Sequence, residues 1–219
     1  MGEVDFHYAL IDKMEALLGG AQQKALTDLL THEDYLVRLK AFNSLEPESN
    51  NRAAILTGGW KHKLPADLAG LAESLIRDKQ ERRWVLETTR GEVVILLQAN
   101  YAPITVANII RLTEQGYFTK MTLHRVVPNF VMQGGDPRGD GSGGPGYAIP
   151  CEVNMLRFAR GSVGMALSGK DTGGSQFFIC HSSQPHLDGG YTIFGQVEQG
   201  MDMVDMLEEG NIIERATIR

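Results

Sequence analysis

The chain has 219 residues, of which 42% are hydrophobic and 22% are charged, and its formal net charge is −6. This composition suits a globular protein with a sizeable core and argues against wholesale disorder. The charge divides into about −3 on each side of residue 80, so neither part carries the basic excess of a nucleic-acid-binding protein.

Residues 1–80 are predicted to be helical. Apolar positions recur at helical spacing over residues 5–18, again over residues 25–30 and again over residues 35–42. Pro65 lies near the first turn of a fourth predicted helix, which carries Leu68, Leu71, Leu75 and Ile76. The short helices joined at residues 32–34 resemble a HEAT-type repeat. Because one repeat cannot bury both of its faces, this region could be the last unit of a longer solenoid.

The pattern changes near Arg82. Residues 84–89 and 92–97 are rich in β-branched and apolar residues, and the Arg90-Gly91 pair between them predicts a hairpin. A helix is then predicted from Pro103, with a stop at Gly116.

From Met121 onward, short apolar runs are separated by glycine-rich turns, which indicates a closed β-barrel or a sandwich. A last helix is predicted over residues 201–209, with Gly210 as its stop, and a closing strand over residues 212–218. We therefore draw two regions, a helical region at 1–80 and a β-rich domain at 82–219.

Few features indicate a metal, a cofactor or a membrane. Cys151 and Cys180 form no C-x-x-C pair and show no metal-ligand spacing with the histidines. No apolar run approaches the ~20 residues that span a bilayer, and the N-terminus lacks the layout of a signal peptide. We expect no metal, no cofactor and no membrane partner. The compartment is left open: the chain would be cytoplasmic if it is complete, and it could be exported if it is a fragment of a longer precursor.

Two stretches of the β-rich region are far more specific than the rest. The first is LHRVVPNFVMQGGD at residues 123–136, and the second is GSQFFIC at residues 174–180, followed by LDGGYTIFG at residues 187–195. Together they resemble the cyclophilin family, whose signature combines a His-Arg pair, a Phe, Gln-Gly-Gly-Asp, Gly-Ser-Gln-Phe-Phe and Leu-Asp-Gly. The helix around residues 102–108 also matches, and the resemblance covers about residues 82–219 in the expected order.

The resemblance implies a mainly β fold, a closed eight-stranded antiparallel barrel with two capping helices, preceded here by a small all-α region. It also implies a site on one outer face of the barrel. Arg125 matches the catalytic arginine, and Gly141 and Leu167 line the edge of the substrate groove. The other groove positions are matched by Phe130, Val131, Gln133, Met165, Ala166, Gln176, Phe178, Leu187 and Tyr191.

The activity implied is peptidyl-prolyl cis-trans isomerisation, which assists protein folding. Rotation about a planar X–Pro amide costs ~18–20 kcal/mol, and no bond has to break, so neither a nucleophile nor a metal is needed. Arg125 would donate hydrogen bonds that are stronger to the twisted amide than to the planar one. Gln133 would hold Arg125 or a substrate carbonyl, and Gln176 would bond the peptide backbone. The proline ring needs an apolar cup, for which the candidates are Phe130, Val131, Met165, Phe178 and Leu187.

For several other features, a structural interpretation is preferred to a functional one. His124 should face away from Arg125 in an alternating strand and is interpreted as a structural histidine. The glycines between residues 134 and 146 are interpreted as a loop that supports the groove, not as a phosphate cradle. Residues 164–170 fit the start of a P-loop, but Asp171 stands where Ser or Thr is required.

The partners implied are proline-containing peptides and unfolded proteins. His186 stands where cyclosporin-binding members carry Trp, and Tyr191 stands where many carry His, so weak or no cyclosporin binding is expected. The main alternative is a proline-peptide-binding scaffold module in which catalysis is incidental.

Overall fold

The structure is a computed structural model that describes residues 19–29, 41 and 64–219. It divides into two compact units, residues 1–63 and residues 64–219. In the first unit, helix α1 spans Gly19–Leu29, and both Leu26 and Ala41 are buried. The helices predicted over residues 5–18 and, apart from Ala41, over residues 35–42 lie outside the described residues, and with them the HEAT-like repeat.

The second unit begins with helix α2, Leu68–Asp78, which lies within the region that we predicted to be a helical extension. Its residues Leu68, Ala72 and Leu75 are buried, and the helix packs against helix α3, Pro103–Glu114. An ion pair of 3.1 Å joins Asp67 to Arg111 of α3. The structure therefore groups α2 with the β-rich domain.

Residues 83–218 contain the strands of one curled antiparallel sheet, with the order β3-β9-β1-β2-β8-β6-β7-β5-β4. The strands are β1 Arg83–Thr88, β2 Gly91–Leu97, β3 Met121–Thr122, β4 Arg125–Val126, β5 Val131–Gly134, β6 Ser162–Met165, β7 Phe177–Cys180, β8 Ile193–Gln199 and β9 Ile212–Ile218. The predicted hairpin, the helix that begins at Pro103 and the closing strand are all present. The ladder pairings give β3 and β4 one neighbour each, so they do not confirm a closed eight-stranded barrel.

Two shorter helices complete the unit, a 3-10 helix at Pro185–Leu187 and helix α4 at Met201–Met206. The second is shorter than the predicted 201–209, because Leu207 adopts extended backbone with φ −71° and ψ 138°. None of the described helices is both long and apolar enough to cross a bilayer.

The interior of the sheet is aromatic. Trp84 packs edge-on against Phe118 and Phe177, with ring centroids 5.0 and 4.7 Å apart, and it also contacts Phe194. All four rings are fully buried. Such aromatic packing supplies much of the burial energy of a domain core.

Helix α3 fixes two loops that lead to the site. The buried carboxylate of Glu152 accepts hydrogen bonds from the backbone N–H groups of Ile104 and Thr105 at the start of the helix. These N–H groups have no partner within the helix, so the carboxylate caps its N-terminus. In the same helix, Asn108 donates to the Gly174 carbonyl at 2.7 Å. The helix thereby positions the segment that leads into β7.

Candidate functional site

Four neighbouring strands carry one row of residues across the sheet. Arg125 pairs with Gln133, Gln133 pairs with Phe178, and Phe178 pairs with Gly164. Residues directly opposite each other in an antiparallel ladder project from the same face. Arg125, Gln133 and Phe178 therefore share one face of the sheet. The adjacent row points to the other face and is largely buried, with members Val126, Met132, Ile179 and Val163.

An apolar cluster covers part of this face, and we call it the apolar cup. Its buried members are Val131, Phe158, Phe178, Cys180, Leu187 and Ile193, and its partly buried members are Phe130, Leu156, Ala166 and Tyr191. The Phe178 ring is central, since Phe158 stacks on it at 5.4 Å and Tyr191 meets it edge-on at 5.8 Å. Partly exposed apolar and aromatic walls around a buried ring suit a small apolar ligand group such as a pyrrolidine.

Gly164 lies under the Phe178 ring. A Cβ at this position would collide with Phe178 and would lie 2.8 Å from Cε1 of Phe158. The missing side chain therefore leaves the space that the two stacked rings fill.

Arg125 stands at the edge of the apolar cup. Its guanidinium carbon lies 5.6 Å from the centre of the Phe130 ring, and Nη1 donates to Oε1 of Gln133 at 3.4 Å. The residue is exposed, so a bound peptide could reach the guanidinium directly. Phe130 in turn stacks on the exposed ring of His186, with centroids 5.6 Å apart.

The turn that carries Phe130 is anchored from the other side of the apolar cup. Asn129 adopts a left-handed conformation with φ 59°, and its carbonyl accepts hydrogen bonds from Ser182 Oγ at 2.6 Å and Gln184 Nε2 at 2.8 Å. The backbone N–H of Gln184 also donates to the Phe158 carbonyl at 2.7 Å. One segment therefore fixes two aromatic walls of the apolar cup.

Asp188 holds the same segment to Phe158. Its carboxylate accepts a hydrogen bond from the Phe158 N–H at 2.8 Å. It also forms an ion pair with Arg157 at 3.1 Å. The backbone donor, followed by the arginine, lowers the pKa of Asp188, so the carboxylate is ionised at neutral pH.

Gln133 and Gln176 continue the polar side of the site. Nε2 of Gln133 donates to Oε1 of Gln176 at 3.1 Å, and Nε2 of Gln176 donates to the carbonyls of Gly141 and Gly143 at 2.8 and 2.9 Å. A cavity of about 500 Å³ opens beside these residues, with Ala166, Leu167 and the glycine-rich loop in its walls. It adjoins the apolar cup without including its aromatic rings.

Most of the predicted groove residues are brought together. Phe130, Val131, Ala166, Phe178, Leu187 and Tyr191 lie in the apolar cup, Arg125 and Gln133 lie beside it, and Gly141, Leu167 and Gln176 line the adjoining cavity. Met165 is not brought to the apolar cup. It pairs with Phe177, whose ring faces Trp84 in the interior, and its side chain lies against Gly173.

Sequence reasoning missed several contributors. Phe158 and Leu156 belong to the apolar cup although they lie in a loop with no periodic pattern. Asp136 was part of the quoted motif, and its carboxylate turns out to bond the glycine-rich loop. An acidic residue within a glycine-rich stretch was the available signal for that role.

His124 and the two cysteines have environments that oppose reactive roles. Both ring nitrogens of His124 are buried and have no hydrogen-bond partner among the described residues, and burial lowers the pKa of the ring. Burial raises the pKa of Cys151 to about 11 and that of Cys180 to about 12, so both are thiols at neutral pH. Among the described residues, no cluster of three or more His, Cys, Asp or Glu could hold a metal.

The matching family model and the matching relatives are all described as peptidyl-prolyl cis-trans isomerases. The family model described as "Cyclophilin type peptidyl-prolyl cis-trans isomerase/CLD" matches residues 84–218. A peptidyl-prolyl cis-trans isomerase of Synechococcus elongatus is 49% identical over 131 residues, which cover 59% of this chain and 90% of that protein. Peptidyl-prolyl cis-trans isomerase B of Bacillus subtilis is 47% identical over 119 residues, which cover 53% and 83%.

Solved structures agree in fold. The crystal structure of a cyclophilin type peptidyl-prolyl cis-trans isomerase of Cryptosporidium parvum matches with a TM-score of 0.61 at 30% identity, covering 64% of this chain and 98% of that one. A second structure of that protein, solved in the presence of the dipeptide Ala-Pro, matches with a TM-score of 0.59 at 31% identity, covering 64% and 99%.

Proposed function

Because the chain belongs to the family of cyclophilin-type peptidyl-prolyl cis-trans isomerases and is such an enzyme, we propose that Arg125 is its catalytic residue and that the apolar cup binds the substrate proline. The observation that carries this proposal is the position of the guanidinium, 5.6 Å from the Phe130 ring at the rim of the apolar cup. A proline held in the cup would bring its amide close to the guanidinium.

The chemistry asks for one stabilising interaction that grows as the amide twists. Twisting makes the proline nitrogen pyramidal and localises its lone pair on the nitrogen. A guanidinium N–H can then donate a stronger hydrogen bond to that lone pair. Raising the rate from ~10⁻² s⁻¹ to ~10³ s⁻¹ requires roughly 7 kcal/mol. One preorganised donor supplies about 3–4 kcal/mol of this. The remainder comes from holding the ring and one flanking carbonyl while the other side of the bond rotates.

The two glutamines have different groups left for the substrate. A glutamine amide has two N–H donors and one carbonyl oxygen. Gln176 uses both donors on loop carbonyls, so it offers a peptide only its remaining acceptor lone pair. Gln133 uses one donor on Gln176, and its second N–H meets no acceptor among the described residues. Gln133 therefore donates to a substrate carbonyl, and Gln176 receives a substrate N–H.

The closed eight-stranded barrel is part of the same proposal. Strands β3 and β4 stand at opposite ends of the pairing order, yet only Leu123 and His124 separate them along the chain. Three Cα steps span at most about 11 Å, so the two sheet edges lie near each other. If β3 and β4 count as one interrupted strand, the sheet has eight strands and closes.

The expected partners follow from the site. Proline-containing peptides and unfolded chains fit an open apolar cup, and the solved relative with Ala-Pro supports a proline-containing ligand. The exposed His186 ring that stacks on Phe130 offers less apolar area than the Trp it replaces, which supports weak cyclosporin binding. A partner-binding role for the predicted helical region at residues 1–80 is a further part of the proposal.

The test is the isomerisation rate of an Ala-Pro peptide in a protease-coupled assay. For Arg125→Ala we expect kcat/KM to fall about 100- to 1000-fold, since one preorganised donor is lost. Arg125→Lys keeps the charge but loses the planar fork, so it should also be impaired. Arg90→Ala, which removes an exposed arginine in the β1–β2 turn, is the matched control and should leave the rate unchanged.

Peptide binding, followed by NMR titration, should survive in Arg125→Ala. An Arg125→Ala variant that keeps more than a tenth of the wild-type rate would contradict the role of Arg125. A wild-type protein that binds the peptide without isomerising it would instead favour the proline-peptide-binding module.

A further inference from the structure

A continuous series of hydrogen bonds runs from Arg125 to a buried carboxylate in the glycine-rich loop. We propose that Asp136 is a positioning residue for isomerisation, which acts on Arg125 through the loop carbonyls, Gln176 and Gln133. This inference rests on the role of Arg125 proposed above.

Asp136 holds the loop from inside. Its side chain is 1% exposed, Oδ1 accepts from the Arg138 N–H at 2.8 Å, and Oδ2 accepts from the N–H groups of Asp140 and Gly141 at 3.0 and 2.5 Å. A Cβ at Gly143 would collide with Oδ1, so the loop backbone closes directly around the carboxylate. Burial alone would raise the pKa of Asp136, but the surrounding backbone N–H donors together lower it, so the group stays ionised.

The loop in turn decides how the two amides point. The carbonyls of Gly141 and Gly143 accept both N–H groups of Gln176, which leaves Oε1 of Gln176 facing Gln133. That oxygen accepts from Nε2 of Gln133, and this leaves Oε1 of Gln133 facing the guanidinium of Arg125. Turning either amide over would place N–H groups against N–H groups or two oxygens against each other. The orientation set at the loop therefore reaches the guanidinium.

Asp136 holds the loop closed in the geometry that orients Gln176. In Asp136→Asn, one carboxylate oxygen becomes an NH₂ group that faces backbone N–H donors, so the loop has to open. Gln176 then loses the carbonyls that fix it, and Gln133 is no longer held with its oxygen toward Arg125. The walls of the apolar cup are untouched. We expect the loss in kcat, with KM changed little.

The experiment measures kcat and KM for an Ala-Pro peptide by NMR exchange spectroscopy on the full chain. Asp136→Asn should lower kcat about tenfold, in line with the cost of a misplaced catalytic group. Asp140→Asn is the matched control, because it makes the same change in the same loop while the Asp140 side chain bonds only Ser142 among the described residues. It should stay within twofold of wild type.

A cycle with Gln176→Leu separates positioning from general loss of stability. If Asp136 acts through Gln176, then Asp136→Asn should lower kcat by less than twofold in the Gln176→Leu background. Val204→Ala, a core truncation in α4, gives a destabilised protein with an intact loop and should keep the wild-type kcat. If Asp136→Asn does not fold, Gln176→Leu alone must lower kcat and shift the side-chain amide signals of Gln133.

Three results would overturn the inference: equal kcat values for the Asp136→Asn and Asp140→Asn variants, a full loss of kcat from Asp136→Asn in the Gln176→Leu background, or unchanged Gln133 signals in Gln176→Leu. All three leave the role of Arg125 standing, provided that Arg125→Ala is inactive. An active Arg125→Ala variant would instead defeat the proposed function.

Discussion

Gly164 offers the sharpest test of how the apolar cup is built. In Gly164→Ala the new Cβ would lie 2.8 Å from Cε1 of Phe158 and closer still to the Phe178 ring. Ordinary carbon contacts need about 3.5–4.0 Å, so the rings must retreat by roughly 1 Å. Overpacking of this kind costs about 1–3 kcal/mol. A 1 Å displacement at a substrate-binding site can cost up to ~100-fold, and we expect kcat/KM to fall about tenfold.

The two losses are measured separately, stability by urea unfolding and activity with the Ala-Pro peptide. Gly70→Ala is the control, because nothing lies within 4 Å of its new Cβ and the site is an exposed helix position. It should raise stability by roughly 0.5–1 kcal/mol and leave activity unchanged. Phe158→Ala would vacate the space behind Phe178, so Gly164→Ala should cost less activity in that background. Wild-type stability and activity in Gly164→Ala would refute this account of the apolar cup.

Two further predictions concern stability. Glu152→Ala should lower the free energy of unfolding in urea by about 2–3 kcal/mol, because it leaves the buried N–H groups of Ile104 and Thr105 without an acceptor. A loss below about 0.5 kcal/mol would contradict the capping role of Glu152. His124 has a lowered pKa in the folded state, so the unfolded state binds more protons as the pH falls below about 6.5. Stability should therefore decline as pH falls from that value through the folded-state pKa, and His124→Phe should remove this part of the decline in urea titrations from pH 7.5 to 5.

The local sequence pattern predicted those helices and strands whose conformation tertiary contacts do not change. The hairpin, the helix from Pro103 and the strand at residues 212–218 were all predictable, because periodicity and turn residues agree with their final environment. The end of α4 was not predictable to the residue. Residues 207–209 continue the helical composition, but Leu207 turns into extended backbone, and it is buried at 2% exposure. Tertiary burial there outweighs local propensity.

The residues of the site also divide into those that the sequence pattern could place and those that it could not. Residues on strands, such as Arg125, Gln133 and Phe178, could be assigned to one face because register follows from alternation. Phe158 comes from a loop, and its place depends on hydrogen bonds to Gln184 and Asp188 that lie 26 and 30 residues further along the chain. Contacts of that kind leave no periodic trace in the sequence. Met165 shows the opposite case, a position matched to the groove by resemblance whose alternation places it with Phe177 in the interior.

Arg125 is exposed in the free protein, and this constrains how it could act as the proposed catalytic residue. In water a guanidinium gains little from one more hydrogen bond, since water already supplies acceptors. The same donor becomes far stronger when the bound peptide covers it and lowers the local dielectric. In the proposed mechanism, proline binding in the apolar cup and contact with the Phe130 ring would supply that cover. On this proposal the cup would contribute to the rate without touching the rotating bond, because it would determine the medium in which Arg125 acts.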